Sequence, residues 1–468
     1  MTTRRVLAPR IDFGGLRREL ELPDAFPPEA QAEAEAAAGR LAAVTAGRVD
    51  RTDIALVTID PATSRDLDQA MSLEARPGGG FRVHYAIADV AAFVTPGGAL
   101  DAESVRRGQT VYLPDGKVPL HPPVLSEGAG SLLPDETRPA VLWTIDLDAD
   151  GATVRTTVER ATVRSRAKLD YDGVQAAVDA GSAAEPVRLL PDIGKLLLAR
   201  GLARGAMNLP MPEQEIEPDG DGWRLRLRAP HPVEEYNAQI SLLTGMAAAR
   251  LMLDGGVGLL RTMPAAPPEA VTKLRAAAAA LGVDWPAGAT PGMVLAALDP
   301  AEPRAAAFVD QAADLLRGAS YTPVGGEVQE HAAVAAPYAH VTAPLRRLAD
   351  RYATEVCLAL FEGREAPEWA VTALPGLPET MARTDRVAGA AERGAVDLVE
   401  AVLLEGRVGE EFEAAVLDAD PERGTGTVAI DDPPVRARCR GRLTPGDRTR
   451  VRLVEADPQA RKVRFEPA

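Results

Sequence analysis

Three aspartates lie close together in the sequence, at the end of a predicted buried strand. Asp60 closes the apolar run 54–59, a loop rich in proline, threonine and serine follows, and Asp66 and Asp68 come next. Carboxylates that converge at a strand end repel each other unless a cation lies among them, and their hard oxygens suit Mg²⁺ or Mn²⁺ better than zinc. The other interpretation is an aspartate-rich turn that caps a helix. An EF-hand is excluded, because the glycine and the terminal glutamate of that loop are missing.

The elements that must position these aspartates begin as strands and continue as helices. Apolar patterning predicts strands over 54–59, 81–87, 141–147, 154–158 and 223–227. Helical periodicity predicts helices over about 184–205, 234–253, 268–281, 304–317, 344–361 and 384–404. Strands followed by helices indicate an α+β unit. One predicted strand has an arginine-lined face, formed by Arg224, Arg226 and Arg228.

The first 50 residues predict a small helical region. Short helices are expected over 13–20 and 27–43, the second opened by a pair of prolines. Two short helices with a turn between them resemble a helix-turn-helix. The alternative is an extension that packs against the main domain.

The tail from residue 406 predicts five short strands separated by turn residues. Five strands in about 60 residues are what a small oligonucleotide-binding (OB) barrel requires. Two sets of arginines recur at every second position, so that each set shares one face: Arg436, Arg438, Arg440 and Arg442, and then Arg448, Arg450 and Arg452. Such a face can be merely solvated, but a barrel of this kind favours binding of single strands.

Composition limits the class of protein. A chain of 468 residues predicts two or three structural units. The net charge of -16 argues against a protein that coats nucleic acid by bulk attraction, although a local arginine-lined groove remains compatible with it. Two cysteines form no disulfide framework, and the sequence shows neither a membrane span nor a secretory signal. We therefore expect a cytoplasmic protein.

Several sequence blocks, in order, resemble the RNase II/RNase R ribonucleases of the RNB superfamily. The blocks are 60–68, 85–90, 107–114, 125–134 and 340–350, and the resemblance covers roughly residues 53–405. It implies an RNB-type catalytic domain, a mixed or antiparallel sheet with surrounding helices, followed by the OB-type barrel. The expected domains are a helical N-terminal region at 1–50, the RNB domain at 51–405 and the barrel at 406–468.

The resemblance implies roles for the residues that carry it. Asp60, Asp66 and Asp68 would hold Mg²⁺, with Mn²⁺ possible, and Asp68 matches the aspartate that is essential for catalysis in the family. Arg346 matches the arginine that stabilises charge on the scissile phosphate. Because Pro344 favours the start of a helix, Arg346 is expected in a first helical turn, where the helix dipole attracts anions.

RNA contacts follow from the same resemblance. Tyr112 matches the aromatic residue that stacks on the 3′-terminal nucleotides and sets the length of the final product; a tyrosine of the core or its rim is the alternative. Glu234 or Glu235 would contact the terminal ribose, and the sequence leaves open which of the two does so. The remaining predicted RNA contacts are Tyr171, Arg166, Thr342, Arg347, Arg438 and Arg440. Arg160, Arg164, Arg166 and Lys168 either line a channel or form a solvated face.

The sequence departs from the family pattern at a few positions. Gln69 stands where most members have a fourth aspartate, so the predicted site has an amide oxygen in place of a charge. Weaker metal affinity, or a preference for Mn²⁺, is therefore expected. Ala343 replaces a serine, and Thr354 stands where histidine is common. About 50 residues precede the catalytic signature, which indicates a subgroup without the N-terminal cold-shock domains.

The sequence thus predicts a processive 3′-to-5′ exoribonuclease that hydrolyses single-stranded RNA to nucleoside 5′-monophosphates, acting as a monomer. Two alternatives stay open. The first is a catalytically silent RNA-binding protein that keeps the RNB fold, and the second is a metal-dependent phosphodiesterase acting on DNA or a small nucleotide.

Overall fold

The computed structural model describes residues 11–209, 212–220, 222–299 and 302–468. Within these residues the α-helices, numbered in chain order, are α1 Gly14–Glu19, α2 Pro28–Gly39, α3 Leu41–Thr45, α4 Ala99–Arg107, α5 Tyr171–Asp179, α6 Leu190–Arg204, α7 Pro232–Gly255, α8 Pro268–Leu281, α9 Pro291–Ala296, α10 Pro303–Ala312, α11 Leu348–Phe361, α12 Glu368–Ala373 and α13 Leu377–Leu404.

The strands confirm the predicted α+β organisation. In chain order they are β1 Val49–Asp50, β2 Leu56–Ile59, β3 Gln69–Ala75, β4 Phe81–Ala88, β5 Val111–Leu113, β6 Gly116–Val118, β7 Thr137–Leu147, β8 Thr153–Leu169, β9 Glu213–Asp219, β10 Gly222–Arg228, β11 Leu259–Thr262, β12 Ser320–Pro323, β13 Glu411–Asp420, β14 Thr425–Asp431, β15 Pro434–Arg440, β16 Arg448–Asp457 and β17 Lys462–Pro467.

The central sheet has the strand order β1-β8-β2-β3-β4-β7. Its long strand β8 pairs antiparallel with β7 along its first part and parallel with β2 along its last, so β8 joins both ends of the sheet. Ile59 at the end of β2 is opposite Leu169 at the end of β8. The loop 60–68, which carries the three aspartates, therefore leaves the sheet beside the end of β8.

Both faces of this sheet are covered, which explains why its strands are so apolar. Along β4, Val83, Tyr85 and Ile87 lie in a core cluster that includes residues of α6, α7 and α11. Ala86 and Ala88 on the opposite face lie in a second cluster, together with Ala34 of α2. At the start of β4 the opposite face carries Arg82 and His84, which are partly exposed, whereas from Ala86 onward the strand lies between two apolar layers.

The C-terminal strands form a closed barrel in the order β13-β14-β15-β17-β16, as the five predicted strands require. Inward residues alternate with outward ones along β15, where Val435, Ala437 and Cys439 are buried. Phe412 and Phe465 pack edge to face inside the barrel. The barrel is therefore a small, filled core whose outer surface carries the arginines.

The described part of the N-terminal region packs against the rest of the chain. Phe13 and Leu16 of α1 are buried in a cluster that includes α13 and the barrel, and Ala34 and Ala37 of α2 are buried on the sheet side. This is the behaviour expected of a packing extension. Residues 1–10 of the predicted region lie outside the described residues.

The predicted helix over 344–361 was wrong at its start, because α11 begins at Leu348. Arg347 has extended backbone angles and forms an antiparallel bridge with Gln109, which holds this segment as a turn rather than a helix. The side chain of Asp350 accepts a hydrogen bond from Ala343 N at 2.7 Å and closes the turn. Within the described residues, the helices are too short or too polar to cross a bilayer.

Helix α13 leads from the domain of the central sheet to the barrel and carries a buried acid, Glu400. Glu400 accepts hydrogen bonds from Gln214 Nε2 at 2.8 Å and from the backbone nitrogen of Arg436 at 3.1 Å. Burial raises the pKa of the Glu400 carboxyl to about 7, although both hydrogen bonds lower it. The hairpin β9–β10, α13 and the barrel thus meet at one titratable group.

We predict that the Glu400→Gln variant is more stable than the wild type near pH 8, by about 1 to 3 kcal/mol. The folded pKa lies above the ordinary value of 4.5, so the wild type loses stability as the pH rises from that value to about 7. Glutamine keeps an acceptor oxygen for both donors without the buried charge. Urea denaturation at about pH 5 and about pH 8 measures the effect. Glu392→Gln, which changes an exposed acid of α13, is the control; identical pH dependence in wild type and Glu400→Gln would contradict the prediction.

Candidate active site

The three aspartates lie on a loop that the surrounding chain holds in place. Lys168 Nζ donates to the carbonyl oxygens of Ala62 and Ser64, each at 2.6 Å. Ser131 Oγ donates to the carbonyl oxygen of Arg65 at 2.6 Å and accepts from Leu67 N at 2.9 Å. The loop between β2 and β3 is therefore fixed at both ends.

The carboxylate of Asp68 and one carboxylate oxygen of Asp60 are buried with few hydrogen-bond partners. Asp68 is only 3% exposed, and its Oδ1 accepts a hydrogen bond from Leu345 N at 2.7 Å. Asp60 Oδ2 is buried and has no hydrogen-bond partner among the described residues. Burial raises the pKa of Asp68 to about 8, against the charge of Arg346, and burial together with the charge of Asp66 raises the pKa of Asp60 to about 7. The nearby charges of Arg346 and Lys168 lower these pKa values, but the cost of burial outweighs them.

Arg346 lies beside these carboxylates on the turn before α11. Its Nε is 3.7 Å from Asp68 Oδ2, and its side chain is 43% exposed. Its backbone oxygen accepts a hydrogen bond from Thr110 N at 3.0 Å. The prediction that Arg346 lies in a first helical turn was wrong, since α11 starts at Leu348. The backbone of Arg346 is therefore fixed, while its guanidinium is exposed enough to contact an anion.

The short hairpin β5–β6 lies over Asp66. Tyr112 is 51% exposed, and its hydroxyl donates to Asp66 Oδ2 at 3.1 Å. Lys117, the cross-strand partner of Tyr112, places Nζ 2.7 Å from Asp66 Oδ1 and 3.0 Å from Glu127 Oε1. Sequence reasoning missed both Lys117 and Glu127. The signal for Lys117 was the Asp-Gly pair next to it, which is typical of a hairpin turn.

A second group of predicted residues lies near the start of α5 and α7. The hydroxyl of Tyr171 accepts a hydrogen bond from Asn237 Nδ2 at 3.1 Å. Burial raises the pKa of Tyr171, and the negative charge of Asp60 raises it further. Glu234 is held by Arg228 and by the backbone nitrogen of His231, so it caps α7. Glu235 has one side-chain contact, Asn208 Nδ2 at 2.8 Å, and is the freer of the pair.

Other predicted contacts have structural partners of their own. Arg347 is partly buried and forms a bidentate pair with Asp350, both distances being 2.9 Å. The carbonyl oxygen of the buried Thr342 accepts from Gln69 Nε2 at 2.5 Å. Arg166 is exposed and donates to Thr52 O at 2.6 Å. Arg160 is engaged by Asp89 and Glu355, and is therefore unavailable to line a channel.

The arginines of the barrel and of the hairpin β9–β10 divide into neutralised and free sets. Arg224, Arg226 and Arg228 all pair with glutamates of the facing strand β9. In the barrel, Arg450 and Arg452 of β16 pair with glutamates of the neighbouring strand β13. Arg448 pairs with Asp431 of β14, and Arg436 pairs with Asp310 of α10. Of the arginines on the two predicted faces of the barrel, Arg438, Arg440 and Arg442 are exposed, and none of them forms an ion pair with a described residue.

The chemistry of the donors fits a hard divalent cation, but their placement is incomplete for one. Buried carboxylates, an unpaired oxygen on Asp60 and raised pKa values are what a cation would compensate. In the described ranges, no three ligating side chains of His, Cys, Asp or Glu are grouped to hold a metal. Lys117 forms an ion pair with Asp66, and the amide nitrogen of Gln69 donates a hydrogen bond to the carbonyl oxygen of Thr342. Asp60, Asp66 and Asp68 therefore stay predicted ligands, and Asp66 is paired with Lys117.

Comparison with known proteins identifies the architecture. The family model of the RNB domain matches residues 48–361, and that of the RNase II-type exonuclease C-terminal S1 domain matches residues 410–468. The chain belongs to the RNB family. An Arabidopsis thaliana protein named DIS3-like exonuclease 2 and another named Inactive exonuclease DIS3L2 are each 44% identical over 137 residues, which is 29% of this chain and 13% of the relative. Vibrio cholerae Ribonuclease R is 28% identical, with 79% of this chain and 48% of that protein covered, so this RNB chain spans about half or less of these relatives.

Solved structures show the same fold. The apo form of Mycoplasma genitalium RNase R has a TM-score of 0.85 at 21% identity, covering 97% of this chain and 77% of that one. The same protein in complex with ribose methylated single-stranded RNA has a TM-score of 0.79 at 21% identity, covering 99% and 76%. Yeast Ssd1, a pseudonuclease, has a TM-score of 0.70 at 17% identity, covering 86% and 51%. The RNB fold therefore occurs with and without nuclease activity.

We predict that Gln69→Asp binds Mn²⁺ on the order of tenfold more tightly than the wild type, because a carboxylate adds negative charge beside Asp68. Isothermal titration calorimetry with Mn²⁺ and Mg²⁺ measures the effect without any need for activity. Gln69→Asn is the matched control: it also removes the long amide that reaches Thr342, but it adds no charge. Equal affinities for wild type and Gln69→Asp would contradict the prediction.

Proposed function

We propose that this chain is a divalent-metal-dependent exoribonuclease that degrades single-stranded RNA processively from its 3′ end and releases nucleoside 5′-monophosphates. The observation that carries the proposal is the buried carboxylate of Asp68, together with the buried Oδ2 of Asp60, beside the half-exposed guanidinium of Arg346. A cytoplasmic location belongs to the same proposal, since Cys357 and Cys439 are buried free thiols.

The division of labour within the site follows from charge and exposure. Asp60, Asp68 and Asp66 would hold the cation, which supplies Lewis-acid chemistry for phosphodiester hydrolysis. Arg346 would bind the scissile phosphate, because a guanidinium forms two parallel hydrogen bonds to phosphate oxygens. Its loose 3.7 Å contact with Asp68 leaves its donors available.

Single-stranded RNA is the substrate that the surrounding residues suit best. The exposed ring of Tyr112 offers a face for stacking of a terminal base, and bases of any sequence stack on aromatic rings. Tyr171, Glu235 and Thr342 would contact the terminal nucleotides, with Arg166 further out. The barrel would hold the strand through Arg438 and Arg440, and the RNA complex of Mycoplasma genitalium RNase R supports this substrate class.

A catalytically silent RNA-binding protein is the second candidate function. It is favoured by one observation, since Gln69 removes a negative charge from the site and its amide nitrogen faces Thr342 rather than a cation. An inactive exonuclease and a pseudonuclease among the similar proteins also support a silent RNA-binding protein. The presence of Asp60, Asp66, Asp68 and Arg346 favours the enzyme.

The central test is degradation of 5′-labelled single-stranded RNA with Mg²⁺ or Mn²⁺. We expect wild type to shorten the RNA stepwise and release nucleoside 5′-monophosphates, and Asp68→Asn to be slower by on the order of 10³-fold, since it removes a charged ligand. Asp53→Asn, which changes an exposed acid shortly before β2, is the control and should keep wild-type activity. Binding of RNA without shortening under any metal would favour the silent protein, and equal cleavage of DNA would favour a general phosphodiesterase.

A separate prediction concerns the barrel. The double change Arg438→Ala and Arg440→Ala should weaken RNA binding on the order of tenfold and reduce its dependence on salt, because free cations contact phosphates. The matched control is Arg450→Ala with Arg452→Ala, which removes the same charge from arginines already paired with glutamates. Fluorescence anisotropy across a salt series measures both variants. Equal losses in the two doubles would mean that only net charge matters.

A further inference from the structure

The hairpin β5–β6 has two faces with different partners. On one face Tyr112 and Lys117 contact Asp66. On the other face the apolar side chains of the hairpin enter the core cluster that includes residues of α1, α13 and the barrel; they are Val111, Leu113 and Val118. The position of Tyr112 over the aspartates is therefore set partly by elements outside the RNB sheet.

The tip of this hairpin is held by α1. Pro114 and Asp115 form its two-residue turn. Arg17 Nη1 and Nη2 donate to the two carboxylate oxygens of Asp115 at 2.8 and 2.7 Å, a fork that fixes orientation as well as distance. Both side chains are partly shielded from solvent, with exposures of 22% and 32%.

Helix α1 is itself anchored to three other elements. Phe13 packs edge to face on Trp223 of β10, and Leu16 lies against Gly394 of α13 so closely that a Cβ there would meet it at 2.9 Å. Glu19 pairs with Arg461 of the barrel at 2.8 Å. A six-residue helix that is fixed in this way can serve as a rigid support for the hairpin tip.

We propose that Arg17 is a positioning residue which, through Asp115, fixes the place of Tyr112 over the aspartates and thereby sets the length of the shortest RNA product. This inference rests on the proposed function. If Tyr112 stacks on the terminal bases, its distance from the cleavage site determines how short an RNA can be and still reach it. Without the two hydrogen bonds from Arg17 to Asp115, the turn of the hairpin can move, while the buried apolar side chains keep the hairpin folded.

The product-length experiment uses the full chain with 5′-labelled single-stranded RNA. We expect Arg17→Ala and Asp115→Ala to start degradation at rates within about twofold of wild type, because an exposed ion pair contributes little to stability. Their final products should be longer or more heterogeneous by at least one nucleotide. Arg17→Lys should restore part of the wild-type pattern, and Arg17→Asp combined with Asp115→Arg should restore more of it than either single change. Arg18→Ala, an exposed neighbour on α1, is the control.

A second measurement keeps the inference separate from the proposed function. In an Asp68→Asn background, which is designed to bind RNA without degrading it, Arg17→Ala should weaken binding of the shortest retained oligonucleotide about two- to fivefold. Longer RNA, which also contacts the barrel, should bind almost as before. If wild type binds but never shortens RNA, the proposed function fails and this binding difference still decides the role of Arg17. Unchanged product length and unchanged short-RNA affinity in Arg17→Ala would overturn the inference.

Discussion

The carboxylate of Asp68 and one oxygen of Asp60 lie away from water, at the start of β3 and the end of β2. The chain around them supplies few hydrogen bonds, and the guanidinium of Arg346 lies 3.7 Å from Asp68. Burying an ionised group without a partner costs several kcal/mol. A fold keeps such a pair only if the rest of the core holds them in place. Here the carboxylates are held by the long strand β8, by the hydrogen bonds that fix the loop 60–68, and by the turn before α11.

That constraint links the architecture to the proposed chemistry. The sheet and its helices form the rigid part, while Arg346 and Tyr112 are the exposed groups that face the buried acids. The hairpin β5–β6 contacts Asp66 on one side and packs with residues of α1, α13 and the barrel on the other. On the proposed function, these distant parts of the chain would influence which RNA ends reach the aspartates.

Sequence patterns predicted the elements better than the polar contacts. Period-two and helical apolar patterns follow from burial, so β4, the barrel strands and most helices were found. The start of α11 was missed because tertiary contacts overrode the preference of Pro344 for the first turn of a helix. Asp350 accepts a hydrogen bond from Ala343 N, and Arg347 forms a β-bridge with Gln109. Which strands become neighbours decides that Arg450 pairs with Glu413, and that Arg438 lies opposite Arg464 rather than an acid. Lys117 reaches Asp66 only through a hairpin, so spacing from the aspartates could not reveal it.

The claim on which the account depends is that the buried aspartates hold a divalent cation. Anomalous scattering from crystals of the full chain grown with Mn²⁺ tests it most directly. The account predicts an anomalous peak at about 2 Å from carboxylate oxygens of Asp60 and Asp68. Saturating Mn²⁺ with no peak at these carboxylates, or with a peak held only by other residues, would contradict it.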